Sequence, residues 1–259
     1  IALWDKRQKK LHLVRDRLGV KPLHYMNVGG RVYFGSDYNS FFKQTWKKIE
    51  PNPQAIMSYL SFRYVIGEQT FYKGIKNVLP GNFSSFDANT SIQTTYWDIP
   101  IETEGDRGEE YYLHTLDEKI SNAIDMQRVS DVPLGAFISG GLDSSMLLYY
   151  LAQKQTNINA YITGFDEEGY NEFQYADIVA EALNITSNKL TLELDEYMSN
   201  MEEVIAYRGE PVSVPHEAAF LKMSRFLKKD VTVVLSGEGA DELFGGYGRI
   251  FRSPFDFYK

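Results

Sequence analysis

In the first hundred residues, apolar positions come in short runs, often alternating with polar ones and rich in β-branched and aromatic side chains. Ile1-Ala2-Leu3-Trp4, Leu11-His12-Leu13-Val14 and Val32-Tyr33-Phe34 are runs of this kind, and they predict short strands. Gly29-Gly30 separates His24-Tyr25-Met26-Asn27-Val28 from Arg31-Val32-Tyr33-Phe34. Two glycines accept the positive φ of a tight turn, so a hairpin is expected there. Pro51 and Pro53 introduce a helix over 52–63, and Pro80-Gly81-Asn82 turns the chain into further strands ending near Tyr96-Trp97.

Residues 99–110 are polar and turn-prone, and the domain boundary is placed there, giving domains 1–100 and 101–259. Beyond it the apolar spacing changes to three and four. Leu113, Leu116, Ile120 and Ile124 predict a helix from Glu109 to Val129. From Val132 the pattern becomes strand–helix–strand. Strands are expected over 134–138, 160–165, 189–194 and 231–235, with helices over 143–153, 171–183, 195–207 and 216–228. The fold class is therefore α/β after a β-rich α+β first half. Such alternation builds a doubly wound parallel sheet whose ligand crevice lies at the carboxyl ends of its strands.

Composition narrows the function without naming it. With 259 residues the chain has room for one large domain or two modest ones. A net charge of −8, from 27 basic and 35 acidic residues, argues against a nucleic acid or an anionic membrane as main partner, because either requires a clustered positive field. No cysteine is present, so the chain holds no disulfide, zinc–thiolate site or cysteine nucleophile. A cytoplasmic location is compatible with this and is expected. No apolar run approaches the roughly 18–20 residues of a membrane span, and no secretory apolar stretch opens the sequence. The chain begins at Ile1 inside a strand-like run and ends at Lys259 without a closing element, so it is expected to be part of a longer protein.

Two segments carry chemistry. Ser139-Gly140-Gly141-Leu142-Asp143-Ser144-Ser145 joins a predicted strand to a predicted helix. Its glycines let the backbone turn and point N–H groups at an anion, its serines add donors, and the helix start adds a favourable dipole. It lacks the Gly-Lys-Ser/Thr of a Walker loop and the spacing of a dinucleotide fingerprint. Asp143 would repel a phosphate unless a cation stood between them, and magnesium is the natural bridge. Ser and Asp are also ordinary helix caps, so the first loop alone does not decide the matter. Ser236-Gly237-Glu238-Gly239-Ala240-Asp241-Glu242 again follows an apolar strand and again combines small residues with acids. Two such loops at strand ends of one sheet would converge on one crevice.

Ser139–Ser145 and Leu235–Tyr247 (LSGEGADELFGGY) resemble the two hallmark segments of the glutamine-hydrolysing asparagine synthetase family. Arg15-Asp16-Arg17-Leu18-Gly19-Val20-Lys21-Pro22-Leu23 and Phe34-Gly35-Ser36-Asp37 resemble the later part of that family's class II, Ntn-type glutaminase domain. Gly164-Phe165, Tyr170-Asn171-Glu172 and Glu210-Pro211 fall where the family has related residues. The resemblance implies the C-terminal part of a glutaminase β domain followed by an ATP-pyrophosphatase domain. It implies ATP and Mg2+ as cofactors, with Ser139, Gly140, Gly141, Asp143 and Ser144 holding pyrophosphate and Asp143 and Asp241 as metal ligands. By the same resemblance, Phe137 and Thr163 contact adenine or ribose through backbone, Ser236 and Gly237 contact the nucleotide, and Glu238 serves formation of an acyl-adenylate. The other partners implied are an acceptor carboxylate, aspartate first, and ammonia or glutamine. A homodimer is compatible with the resemblance, which does not fix the oligomeric state.

Some features depart from the family pattern. The family's glutaminase nucleophile is an N-terminal cysteine, absent here, so this chain alone is not expected to hydrolyse glutamine. Asp37 stands where a glutamate is usual. The stretch Glu210–Arg225 approaches the acceptor in the family but carries Val214 and His216. Related enzymes amidate other acids, such as uronic acids of surface polysaccharides, and a non-catalytic nucleotide-binding relative is the remaining alternative. Tyr149, Tyr150 and Leu151 are expected in helix core, Trp4 and Trp97 in the β-domain core, and Lys47-Lys48, Lys228-Lys229, His12, His24 and His114 outside any site.

Overall fold

The computed structural model describes residues 1–43, 48–88, 90–101, 105–166, 169 and 171–248. Lys47, residues 102–104 of the boundary stretch and Tyr170 lie outside them. The chain gathers into two compact units, Ile1–Glu104 with Met201–Glu217, and Gly105–Asn200 with Ala218–Lys259.

The first unit contains β1 (Ala2–Asp5), β2 (Lys10–Val14), β3 (His24–Val28), β4 (Arg31–Gly35), α1 (Asn39–Phe42), α2 (Pro53–Phe62), β5 (Lys76–Asn77), β6 (Asn82–Phe86) and β7 (Ser91–Thr95). They form two antiparallel sheets, β1-β2-β6-β7 and β4-β3-β5. Alternation along β3 sends Tyr25 into a cluster with Leu13, Val78 and Phe86 and Met26 into another with Tyr38, Phe41 and Ile75, as opposite faces of a pleated strand require. The expected hairpin closes through Gly29 (φ 58) and Gly30 (φ 77). The Arg15 guanidinium donates to the carbonyls of Gly19, Lys21 and Val78, and Asp16 accepts the N–H groups of Val20 and Lys21. Arg15 and Asp16 thus shape the loop that follows them. Trp4 corrects an expectation: it is 55% exposed on edge strand β1 and packs no core. Trp97 is half-buried, with Arg17 5.9 Å from its ring centroid.

Residues 201–217 join this unit because its side chains hold their carbonyls. Asn39 donates to Tyr207 O, Tyr59 to Val212 O and Tyr72 to Gly209 O. Arg208 bridges Glu210 and Glu217.

The second unit contains α3 (Glu109–Gln127), β8 (Leu134–Phe137), α4 (Leu142–Lys154), β9 (Asn159–Phe165), α5 (Phe173–Leu183), β10 (Thr186–Leu192), the start of α6 (Leu194–Arg208), nearly all of α7 (Glu217–Leu227), β11 (Val233–Leu235) and α8 (Ala240–Phe244). The sheet order is β10-β9-β8-β11, parallel throughout. Leu134, Ala136, Ala160 and Ile162 face a core shared with Leu148, Leu151, Ala176 and Ala180 of α4 and α5. Phe137, Tyr161, Leu190 and Val234 face Met223 and Leu227 of α7. Helices on both faces make the sheet doubly wound, as expected.

Element edges differ where polarity hid or mimicked the pattern. β10 begins at Thr186, three residues before the expected Lys189, because Thr186-Ser187-Asn188 has no apolar signal. The Asn188 amide nevertheless donates to Ala160 O at 3.1 Å across the strand pair. Val231, expected in β11, packs instead with Tyr161, Met223 and Leu227. Leu113 is 61% exposed, so the buried stripe of α3 is carried by Ile120 and Ile124. Tyr149 points outward at 51% exposure while Tyr150 and Leu151 are buried, which corrects the expectation of a common core position.

Candidate active site

Strand order reverses between β8 and β11, the first and last strands of the second unit. At such a switch point the connections leave in opposite directions and open a crevice at the carboxyl ends. The two acid-bearing loops emerge from those two strands.

The loop after β8 is folded tightly on itself. Gly140 has φ 78, and a Cβ there would stand 2.4 Å from Tyr175 Cβ and 2.9 Å from Ala176 N. Glycine is therefore required both by the left-handed backbone and by the approach of α5. Ser144 is buried. Its hydroxyl lies 2.9 Å from Ser139 Oγ, accepts the Ser139 N–H at 3.2 Å and reaches Gly141 O at 3.2 Å. Ser145 Oγ donates to Gly141 O at 2.7 Å. The serines thus brace the loop from within. α4 begins after Gly141 without a side-chain cap, and an uncapped helix start is an arrangement that can receive an anion. Asp143, in that turn, is exposed.

The loop after β11 closes against the first. A Cβ on Gly237 would stand 3.2 Å from Asp143 Cβ and 3.4 Å from Ser144 N, so the backbone at Gly237 rests on the start of α4. Gly239 (φ 94) turns the chain into α8. Asp241 is half-buried and its carbonyl accepts the Gly246 N–H at 3.1 Å. A Cβ on Gly246 would collide with the Asp241 carboxylate. Glu238 is exposed between β11 and α8. Glu242 accepts the Tyr247 hydroxyl at 2.7 Å, which raises the phenol above its ordinary value.

Ser139, Gly140, Gly141, Asp143, Ser144, Ser236 and Gly237 therefore gather at one sheet edge, with Phe137 half-buried at the end of β8 and Thr163 half-buried on β9. Among the described residues no group of three or more His, Cys, Asp or Glu is assembled. The backing of Gly140 by Tyr175 and Ala176 is a feature sequence reasoning missed, since only the fold brings α5 under the loop. His216 is exposed ahead of α7. Arg249 to Arg252 lie outside the described residues.

A family profile described as asparagine synthase matches residues 115–256, more than half of the chain, and one described as a glutamine amidotransferase domain matches residues 1–97. The chain belongs to the asparagine synthase family. "Asparagine synthetase [glutamine-hydrolyzing] 1" of Bacillus subtilis (strain 168) is 32% identical over 256 residues, 97% of this chain and 40% of that protein. "Putative asparagine synthetase [glutamine-hydrolyzing]" of Mycobacterium tuberculosis H37Rv is 29% identical, covering 98% of this chain and 40% of that one. "Amidase chyE" of Penicillium rubens is 26% identical over 95% of this chain and 39% of its own length. This asparagine synthase family chain spans about two fifths of the length of the curated relatives it matches. Among solved structures, an NMN synthetase from Francisella tularensis is similar with a TM-score of 0.37 and 18% identity, covering 55% of this chain and 59% of that one. No helix among the described residues is long and apolar enough to cross a membrane.

Proposed function

We propose that the whole protein amidates a carboxylate at the expense of ATP, with aspartate as acceptor and ammonia drawn from glutamine, and that the crevice between β8 and β11 is where ATP is cleaved. Residues 1–100 are assigned to the C-terminal part of a glutaminase domain and 101–259 to the ATP-pyrophosphatase domain. The observation that carries the proposal is the contact of the two loops, Gly237 against Asp143 and Ser144 N, at the sheet's switch point.

The chemistry runs in two displacements. A carboxylate oxygen of the acceptor attacks the α-phosphorus of ATP, the α–β bridging bond breaks, and pyrophosphate leaves. Ammonia then attacks the acyl carbon, a proton is lost, and AMP leaves as the amide forms. The N–H groups at the start of α4 and the Ser139–Ser144 loop receive the pyrophosphate, stabilising charge as it develops. Ser236 and Gly237 support the nucleotide from the other side, with Phe137 and Thr163 toward adenine and ribose. Glu238, exposed beside the crevice, orients or deprotonates the incoming ammonia. Within 1–259 there is no cysteine to act as a glutaminase nucleophile.

The donors fit magnesium. Asp143 and Asp241 stand on the two touching loops, both hard oxygen ligands, and magnesium is ordinarily held by one or two carboxylates with substrate phosphates completing its shell. When bound it would neutralise charge on the phosphates.

Pyrophosphate release by the intact protein tests the proposal, with ATP, magnesium and ammonium, and with aspartate compared against other carboxylic acids. Release with asparagine formation is expected. Turnover only with a sugar acid would refute aspartate but keep the site, and ATP binding without turnover on any acid would refute catalysis.

A further inference from the structure

We infer that the open cavity beside α1, in the first unit, is a binding site for a free α-amino acid with an apolar side chain. Asp37 would hold its ammonium group and Lys43 its carboxylate. The inference does not depend on the ATP site proposed above.

The cavity has a volume of about 430 Å³ and is lined by Asp37, Asn39, Phe42, Lys43 and Tyr207, all within the first unit. That is room for a small molecule. Local bonds set its polar groups. Asp37 Oδ1 accepts the Ser40 N–H at 2.9 Å and the Ser40 hydroxyl at 3.1 Å, which orients the carboxylate and leaves Oδ2 over. The Asn39 amide donates to Tyr207 O, and its own oxygen remains as a further acceptor. Lys43 follows the last residue of α1 and is exposed. Among the described residues, neither Lys43 Nζ nor Asp37 Oδ2 has a hydrogen-bond or ion-pair partner. Opposite charges that line one cavity without pairing suit a ligand that carries both, because each then gains a charge-assisted hydrogen bond.

The apolar wall is backed from behind. The Phe42 ring meets Tyr72 edge-on, with centroids 4.8 Å apart at 76°, and a Cβ on Gly209 would stand 2.8 Å from Phe42 Cε2. Phe42 nevertheless stays 39% exposed, and Tyr207 is 77% exposed. Two aromatic side chains left open beside the charges favour a ligand whose side chain covers them. A ligand of one charge sign would leave either Asp37 or Lys43 unmet.

Calorimetric titration of the intact protein with phenylalanine at neutral pH tests this. Phenethylamine, which lacks the carboxylate, and phenylpropanoate, which lacks the amine, are the comparison ligands. Saturable binding of phenylalanine is expected, weakened about 10-fold by Lys43→Gln and by Asp37→Asn. Lys43→Gln should leave phenethylamine unchanged and Asp37→Asn should leave phenylpropanoate unchanged, a crossed pattern that a disturbed fold would not produce. Tyr207→Ala should weaken all three ligands. No saturable binding at millimolar phenylalanine would overturn the inference, as would binding that neither charge substitution alters. Amine and acid analogues that bind as tightly as phenylalanine would overturn it equally.

Discussion

Replacing Gly140 with alanine probes the loop after β8 at its tightest point. Two costs add. An L-residue at φ 78 is strained by roughly 1–2 kcal/mol. The new methyl would also stand 2.4 Å from Tyr175 Cβ and 2.5 Å from the Tyr175 carbonyl carbon, where carbon atoms need about 3.5–4.0 Å. Those neighbours belong to α5, whose Ala176 and Ala180 are buried against the sheet, so relief means moving the loop or the helix. Overpacking of this kind costs about 1–3 kcal/mol, and the sum is about 2–5 kcal/mol. Tryptophan fluorescence would not see it, because Trp4, Trp46 and Trp97 all lie in the first 104 residues. Amide hydrogen exchange of β8 and α4 would, and about 2 kcal/mol corresponds to roughly 30-fold faster exchange from the open state. Gly169→Ala is the control, since its φ is 83 and nothing lies within 4 Å of a Cβ there; it should show the strain cost alone. If Gly140→Ala changed exchange no more than Gly169→Ala, the close packing of loop on α5 would be refuted.

Three other outcomes are expected. Arg208→Ala should destabilise the first unit by about 2–3 kcal/mol, less than the 3–5 of a fully buried pair because Arg208 is 35% exposed; a urea midpoint that moves by under ~0.5 kcal/mol equivalent would show that Glu210 and Glu217 do not depend on it. His24 is stacked 4.4 Å from Tyr38 and bonded through Nδ1 to Asn77 at 2.7 Å, and burial holds it below its ordinary value, with Arg15 in the same direction and Asn77 and Asp37 opposing. The unfolded chain therefore takes up the proton first, so this stability is complete above about pH 6.5 and is lost as pH falls through that value toward the folded one; His24→Asn should flatten the urea midpoint between pH 8 and 5.5, and equal slopes would contradict it. Glu238→Gln should cut amide formation by roughly 100-fold or more in the pyrophosphate and amide assays while ATP still binds, and unchanged amide formation would remove Glu238 from the chemistry.

Much of the fold was legible because its residues repeat a local physical rule. The Gly29-Gly30 turn needs only two positive φ values, and the helix Pro53–Phe62 begins where Asn52 precedes a proline and ends at Arg63 in the left-handed region. Elements that lack a periodic apolar signal were not legible. β10 opens on Thr186-Ser187-Asn188, and its strand state is set by pairing with Asn159–Tyr161, a partner some 27 residues away in a sequence that gives no sign of it. The four-residue α1 (Asn39–Phe42) is equally silent, being fixed by Asp37 accepting the Ser40 N–H at 2.9 Å and by burial of Phe41. Attachment of residues 201–217 to the first unit depends on hydroxyl and amide donors, Tyr59, Tyr72 and Asn39, whose targets are backbone carbonyls and therefore leave no mark on the segment they hold.

The site divides along the same line. Ser139–Ser145 and Ser236–Glu242 were readable as strand-to-helix loops because glycine and serine at a strand end meet what the backbone must do there, and backbone needs are local. What surrounds them is not local. Tyr175 backs Gly140 only because a whole crossover returns α5 to the sheet, and Phe220 meets Phe137 only because α7 crosses to the opposite face before β11 pairs with β8. A phenylalanine in an amphipathic helix is most simply read as core, and nothing in the local sequence marks it otherwise. Phe220 stands half-buried at the start of its helix, beside the strand that leads into Ser139–Ser145, and that position exists only in the folded sheet order.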